Sequence, residues 1–197
     1  MELQEVIRRR RMVRSFDRAA LPSGTLDRVL DAARRAPSAG FSQGLELVVM
    51  EGPSQTGRYW DATVPDPAAR GRFPWGGLGR APVLVVVVVS PAAYQARYAE
   101  PDKVGRGGPG RWPVPYWLVD GGMGVMAMLL AAVDEGLGAA FFSTFERTGA
   151  VRALLGVPEG HLILGTLALG HPAPDRPGRS AGRRRRPLHE VVHRGHW

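Results

Sequence analysis

The sequence predicts a mixed α/β sandwich, and three observations carry that expectation. Four short apolar runs, "LELVVM", "PVLVVVVVS", "AAFFST" and "HLILGTLALGH", have the length and composition of buried strands. Stretches of helical period intersperse them in the order ααβ(α)βαβαβ, without the regular alternation of a doubly wound sheet. A chain of 197 residues that is 44% hydrophobic can bury one ordinary core and is short for two, so a single domain over 1–197 is expected.

Leu3, Val6 and Ile7 recur at helical spacing and give a first helix that runs into the arginines Arg8, Arg9, Arg10 and Arg11, with Arg14 close behind. A second helix carries Leu26, Val29, Leu30 and Ala33. Pro37 closes it, because the residue before a proline is pushed out of the α region. The strand Leu45–Met50 follows. The stretch Gly52–Arg80 mixes Pro, Gly and Trp with a few helical turns. The valine-rich strand is the buried centre of the sheet, and Glu100–Pro115 holds too much Gly and Pro for regular structure. The longest helix starts at Tyr116. It is apolar all round, which predicts a fully buried helix, and Gly138 is its expected C-terminal cap. A third strand, a short helix ending at Gly156, a fourth strand and a Pro/Gly/Arg tail over 172–197 complete the chain.

Composition excludes several chemistries. With no cysteine there is no disulfide, thiolate metal site or thiol nucleophile. Met1 is followed by an amphipathic stretch without a secretory apolar core, and the valine run is half the length of a membrane span; a cytoplasmic protein with no membrane partner is expected. The net charge of +8 raises nucleic acid as a partner. Yet Lys103 is the sole lysine and asparagine is missing altogether, the pattern that GC-rich codons produce without any polyanion. Basic residues are also not interleaved with aromatics as in single-strand binders. No nucleic-acid partner is expected.

"HEVVH", His189–His193, fits the zinc-hydrolase spacing, but Pro187 precedes it, two β-branched valines sit inside it and only His196 remains as a third ligand. An extended tail paired with a partner reads better, and no metal site is expected. "GRGGPGR" lacks P-loop spacing, and no serine stands in a nucleophile elbow. The arginines remain. A guanidinium donates two parallel hydrogen bonds to an oxyanion. Arg10, Arg11 and Arg14 stand where a helix turns into extended chain, which aims them at one small phosphate rather than along a duplex. Arg8 and Arg9 read as solvated charge.

Four blocks together resemble the nitroreductase family of flavin enzymes. "RRMVRSFD" resembles its N-terminal R-R-S-V-R-x-F segment, and "ARRAPSAGFSQG" its A-P-S-A-G-N-x-Q-P-W segment. "VDGGMGVMAMLLAAVDEGLGAAFFSTF" is similar to its central helix and following strand, and "RRRRPLHEVVHRGHW" to its C-terminal ending. The resemblance implies an α+β homodimer with a mostly antiparallel central sheet flanked by helices. It also implies FMN at the subunit interface and a tail over 172–197 exchanged between subunits. Carried over, Arg10, Arg11 and Arg14 contact the FMN phosphate, ribityl chain and ring edge, with Met12 offering only its backbone. Pro37, Ser38, Ala39 and Gly40 line the flavin from the partner subunit, with Gln43 nearby. Phe141, Phe142, Ser143 and Thr144 match the loop beside the isoalloxazine, and Arg183 and Arg185 the second phosphate-binding set.

Two departures from the family pattern stand out: Phe41 replaces its Asn, and Gly44-Leu45 its Pro-Trp. The implied activity is hydride transfer from NAD(P)H through the flavin to a small acceptor such as a nitroaromatic or quinone. No residue is required as a dedicated acid or base. The alternative is a flavin- or deazaflavin-binding protein of the same fold without turnover. Over the acceptor side, Tyr94–Pro115 is the expected lid, with Trp112, Tyr116 and Trp117 at its end.

Overall fold

A computed structural model describes residues 1–105, 107–178 and 180–197. Helices α1 (Leu3–Arg9) and α2 (Thr25–Arg34) lead into strand β1 (Leu45–Glu51). Then come α3 (Gly52–Thr63), α4 (Pro67–Arg72), β2 (Val83–Val89), α5 (Pro91–Tyr98) and α6 (Tyr116–Asp134). Strand β3 (Gly138–Phe142), α7 (Thr148–Leu155) and β4 (Leu162–Gly170) complete the frame. The sheet order is β1-β2-β4-β3, and every pairing is antiparallel. This is the expected α+β sandwich.

All seven residues of β2 are buried, because helices cover both sheet faces. Val83, Val85 and Val87 face Leu26 and Val29 of α2 and Met128 and Ala132 of α6. Leu84, Val86 and Val88 face Tyr59 and Trp60 of α3 and Val151 of α7. Each buried valine contributes about 1.5–3 kcal/mol relative to an exposed one, so a continuous valine run is what a two-faced central strand requires.

Four expectations need correction. Gly52–Arg80 is far more regular than its weak periodicity suggested, with two α-helices and a 3-10 turn over Gly76–Arg80. Prolines at the starts of α3, α4 and α5 open these helices rather than break them, since the first turn has no use for that N–H. Helix α5 was unforeseen for the same reason. The C-terminal turn of α6 is finished by Gly136, at φ +73°, and not by Gly138. Gly138 instead opens β3, where a Cβ would stand 2.8 Å from Val13 Cγ1.

The fourth correction concerns α6. It is long and apolar enough to cross a membrane by length and composition. One side, with Val125, Met128, Leu129 and Ala132, is packed on the sheet and α2, whereas Leu118, Val119, Met123 and Met126 are exposed. Within one chain the helix is thus half-buried, not buried all round.

Candidate functional site

The N-terminal segment turns where its sequence says it must. Arg9 ends α1, and Arg10 caps it with an extended ψ of 121°. Met12 then forms an isolated parallel bridge to Ala139 of β3, with Val13 N–H donating to the Ala139 carbonyl at 2.9 Å. Beyond β4 the chain returns alongside: Phe16 bridges Pro172, and Ala173 N–H donates to the Ser15 carbonyl at 2.9 Å. Between these strands of chain lies an open cleft of about 980 Å³, lined by Arg10, Arg11, Met12, Arg14, Arg176, Arg183 and Arg185 among others. Five of the sequence-predicted contacts to a phosphate, from the two ends of the chain, therefore meet in one place.

The charge bookkeeping there is lopsided. Among the described residues Arg10, Arg11, Arg14, Arg183 and Arg185 have no carboxylate partner, and the cleft wall holds one acid, Asp175. Several arginines elsewhere are paired, among them Arg9 to Glu5 at 2.6 Å, Arg28 to Glu135 at 2.7 Å and Arg97 to Asp102 at 2.7 Å. Unpaired guanidinium groups converging on open space suit a phosphate dianion. Arg14 lies 5.1 Å from the centre of the Trp75 ring, a cation–π contact that fixes its direction. Arg176, which donates to the Pro74 carbonyl, ties the tail to the same loop. Trp75 and Arg176 were not foreseen. Nothing in the local sequence of either residue announces a role that only this fold assembles.

Pro37, Ser38, Ala39, Gly40 and Gln43 form a second group, just before β1, on the far edge of the sheet from β3. Three inter-strand spacings of about 4.8 Å separate those edges, roughly 14 Å. The segment is firmly held. A carboxylate oxygen of Asp120, buried on α6, accepts from Ala39 N–H and from the Tyr94 hydroxyl, each at 2.8 Å. Burial first, then that bond, pushes the Tyr94 hydroxyl well above the usual phenol range. Arg97 donates to the Gly40 carbonyl at 2.9 Å, and Ser38 Oγ accepts from Gln43 N–H at 3.0 Å. Phe41 and Gln43 have φ of +59° and +52°, uncommon for residues with a Cβ. Gly44 is required by its surroundings, since a Cβ would come within 2.5 Å of the Tyr94 ring. That explains why the family's Pro is not tolerated here. Phe41, in place of Asn, is 72% exposed.

The third group follows β3. Phe142 stacks on Trp60 at 5.8 Å and on Phe145 at 5.5 Å, while Phe141 packs beneath Gly165. Thr144 is buried and shares a 2.7 Å hydrogen bond with Thr148; Ser143 is exposed. Phe145 and Glu146 adopt φ of +52° and +65°, so the turn beyond Thr144 is held in an unfavourable conformation of the kind that clusters at working sites. Among its described residues, the anticipated lid holds the second half of α5, unforeseen, then turns; Arg106 lies outside the described residues. Trp112 meets Tyr98 edge-on at 4.9 Å and Tyr116 at 5.1 Å, an aromatic knot against the Pro37–Gly44 segment rather than a free flap. His189 lies in a 3-10 turn and His193 stacks on Trp197; among the described residues no group of His, Asp and Glu is placed to hold a metal.

The fold and these three groups define a nitroreductase-like α+β protein. The model of the Nitroreductase family matches residues 7–171, most of the chain, and the chain belongs to that family. A protein of Archaeoglobus fulgidus, named among NADH dehydrogenase/NAD(P)H nitroreductases, is 25% identical over all of this chain and 99% of its own length. Among solved structures, the NADPH:FMN oxidoreductase of Vibrio harveyi complexed with NAD+ is similar at a TM-score of 0.72 and 20% identity, over 99% of this chain and 77% of the other. A nitroreductase-named structure from Desulfovibrio desulfuricans in complex with FMN has a TM-score of 0.68 and 22% identity, over 98% and 95% of the two chains.

Proposed function

We propose that the protein is an FMN-dependent oxidoreductase that takes hydride from NAD(P)H and passes it to a small acceptor such as a nitroaromatic or quinone. The observation that carries this reading is the cleft in which Arg10, Arg11, Arg14, Arg183 and Arg185 converge without carboxylate partners. Its donor set fits a phosphate monoester, and the adjoining β3 segment fits an extended, partly apolar ligand. When bound, the flavin supplies two-electron chemistry that side chains cannot.

The chain's own residues bind and orient. Arg10, Arg11, Arg183 and Arg185 hold the phosphate, Arg14 is braced on Trp75 to reach further along the ligand, and Met12 offers its backbone. Phe141, Phe142, Ser143 and Thr144 flank the ring. The turn after them, with Phe145 and Glu146 at positive φ, fixes where this segment ends. No side chain acts as a dedicated acid or base.

Pro37, Ser38, Ala39, Gly40 and Gln43 serve the site of a second subunit. Three features support this homodimer: the segment sits on the sheet edge away from the chain's own cleft, α6 carries an uncovered apolar face, and the tail over 172–197 exposes Leu188, Val191, Val192 and Trp197. Burying such residues against a second copy removes apolar area from water that a lone chain leaves wet. The 1–197 chain is then one domain with an exchanged tail, and a cytoplasmic location accords with a nicotinamide-dependent reaction.

The test is the absorption spectrum of the purified protein, followed by anaerobic titration with NADH and with NADPH. A bleached flavin band that returns on adding a quinone supports turnover. Protein that stays colourless with added FMN refutes the reading. Flavin that binds but is not reduced by either nicotinamide favours a binding protein without turnover.

A further inference from the structure

On the sheet face opposite α6, a second cavity of about 370 Å³ opens between α3, α4 and the turn Gly76–Arg80. None of the residues lining it lines the arginine cleft. Its wall is apolar at Trp60, Phe73 and Val64, and basic at Arg18, Arg70 and Arg80, with no acidic residue among those that form it. Arg70 is paired with Asp61 at 2.7 Å, but Arg18 has no ion-pair or hydrogen-bond partner among the described residues, and Arg80 donates only to Ser15 Oγ at 2.8 Å. Two guanidinium groups thus face this space uncompensated by any carboxylate.

One more polar group is left over. Trp60 is 8% exposed, and its indole Nε1–H is buried without an acceptor. A buried donor without a partner is uncommon, because it has given up water for nothing in return. The indole N–H is sealed from the cavity as well as from water, so the cavity's chemistry is set by its apolar floor and its two uncompensated guanidinium groups, which suit a ligand with a hydrophobic body and an anionic oxygen pair. Pockets of this size take small organic molecules. Guanidinium forks match a carboxylate in two-point geometry.

We propose that this cavity is a second ligand site, for a small apolar carboxylate, separate from the cleft assigned to the flavin. The acid group lies against Arg18 and Arg80, and the apolar body fills the space over Trp60 and Phe73. The site adjoins the first one in two places: Arg80 holds the hydroxyl of Ser15, the residue next to Arg14, and Phe73 packs edge-on against Trp75, over which Arg14 lies. The inference does not depend on the flavin reading, since no residue is shared.

The probe is 2-naphthoate, titrated calorimetrically into the full chain with FMN in excess, beside its neutral counterpart 2-naphthamide. Saturable binding of the acid, at least about tenfold tighter than the amide, is expected from charge-assisted pairing. Gly57 lines the cavity, and a Cβ there meets nothing within 4 Å, so Gly57→Leu starts its side chain in open space and should abolish binding while helix α3 persists by circular dichroism. Arg18→Ala should weaken the acid about tenfold and leave the amide unchanged. The proposal is overturned by no binding, by equal affinities for acid and amide, or by naphthoate binding that survives Gly57→Leu. That last result places the probe outside this cavity. Flavin absorbance, recorded in parallel, reports separately on the FMN reading.

Discussion

Removing a single oxygen, in Tyr94→Phe, tests how the Pro37–Gly44 segment is anchored. The Tyr94 ring is 1% exposed and keeps its packing on Gly44, Trp112 and Trp117 in the variant. What disappears is the 2.8 Å bond from its hydroxyl to the Asp120 carboxylate, itself 7% exposed. A hydrogen bond to a charged, buried acceptor contributes about 1.5–3 kcal/mol, so a loss of about 2 kcal/mol is expected. For a chain of this size that is roughly 4–8 °C in Tm. Urea unfolding at pH 7 should show a lower midpoint with an unchanged slope. Asp120→Ala removes the Ala39 bond as well, for a loss of roughly 3–6 kcal/mol, twice the single-bond figure. FMN affinity should fall in Asp120→Ala, where Ala39 N–H loses its acceptor, and stay nearly unchanged in Tyr94→Phe, which leaves that bond in place. A Tyr94→Phe change below about 0.5 kcal/mol would refute the reasoning, for it would mean that water already satisfies the carboxylate.

Other outcomes follow from the same geometry. Arg14→Ala, which removes a cation held over Trp75, should weaken FMN binding about 10- to 100-fold, measured by flavin fluorescence, with the far-UV spectrum intact. Met126→Glu puts a charge on the exposed face of α6; sedimentation should show dissociation into single chains with loss of bound flavin, and a dimer that persists would exclude this face as the contact. Burial pushes the Tyr59 hydroxyl up to about 12, against the weaker opposite effect of its bond to Thr166. Between pH 10 and 12 the unfolded chain has lost that proton while the folded chain keeps it, so stability, full below pH 10, falls by about 1.4 kcal/mol per pH unit. In Tyr59→Phe this share of the alkaline slope should vanish from chemical-denaturation curves.

Much of the frame was legible because its signals are local. Val83–Val89 declares a two-faced strand by composition alone, and α2 stops short of Pro37 as backbone sterics demand. The turn from α1 into extended chain was readable too, and with it the direction of Arg10, Arg11 and Arg14. Where a residue's role depends on distant partners, the sequence was silent. Trp75 meets Arg14, and Arg176 meets Pro74, only because the 52–80 stretch folds back beside the N-terminal segment and the tail. Helix α5 was masked by a proline that in fact opens it. The exposed face of α6 was misread, because an all-apolar helix looks the same whether sheet or a second subunit covers its other side.

The basic residues lining the cleft are all arginine; neither lysine nor histidine contributes to it. Guanidinium stays protonated across the whole range in which proteins remain folded. In the proposed FMN site, changes of charge with pH would therefore come from the ligand. Only the phosphate changes charge there, through its second ionisation near pH 6. A cofactor held this way loosens on acidification through its own chemistry, and basic conditions leave its anchor untouched.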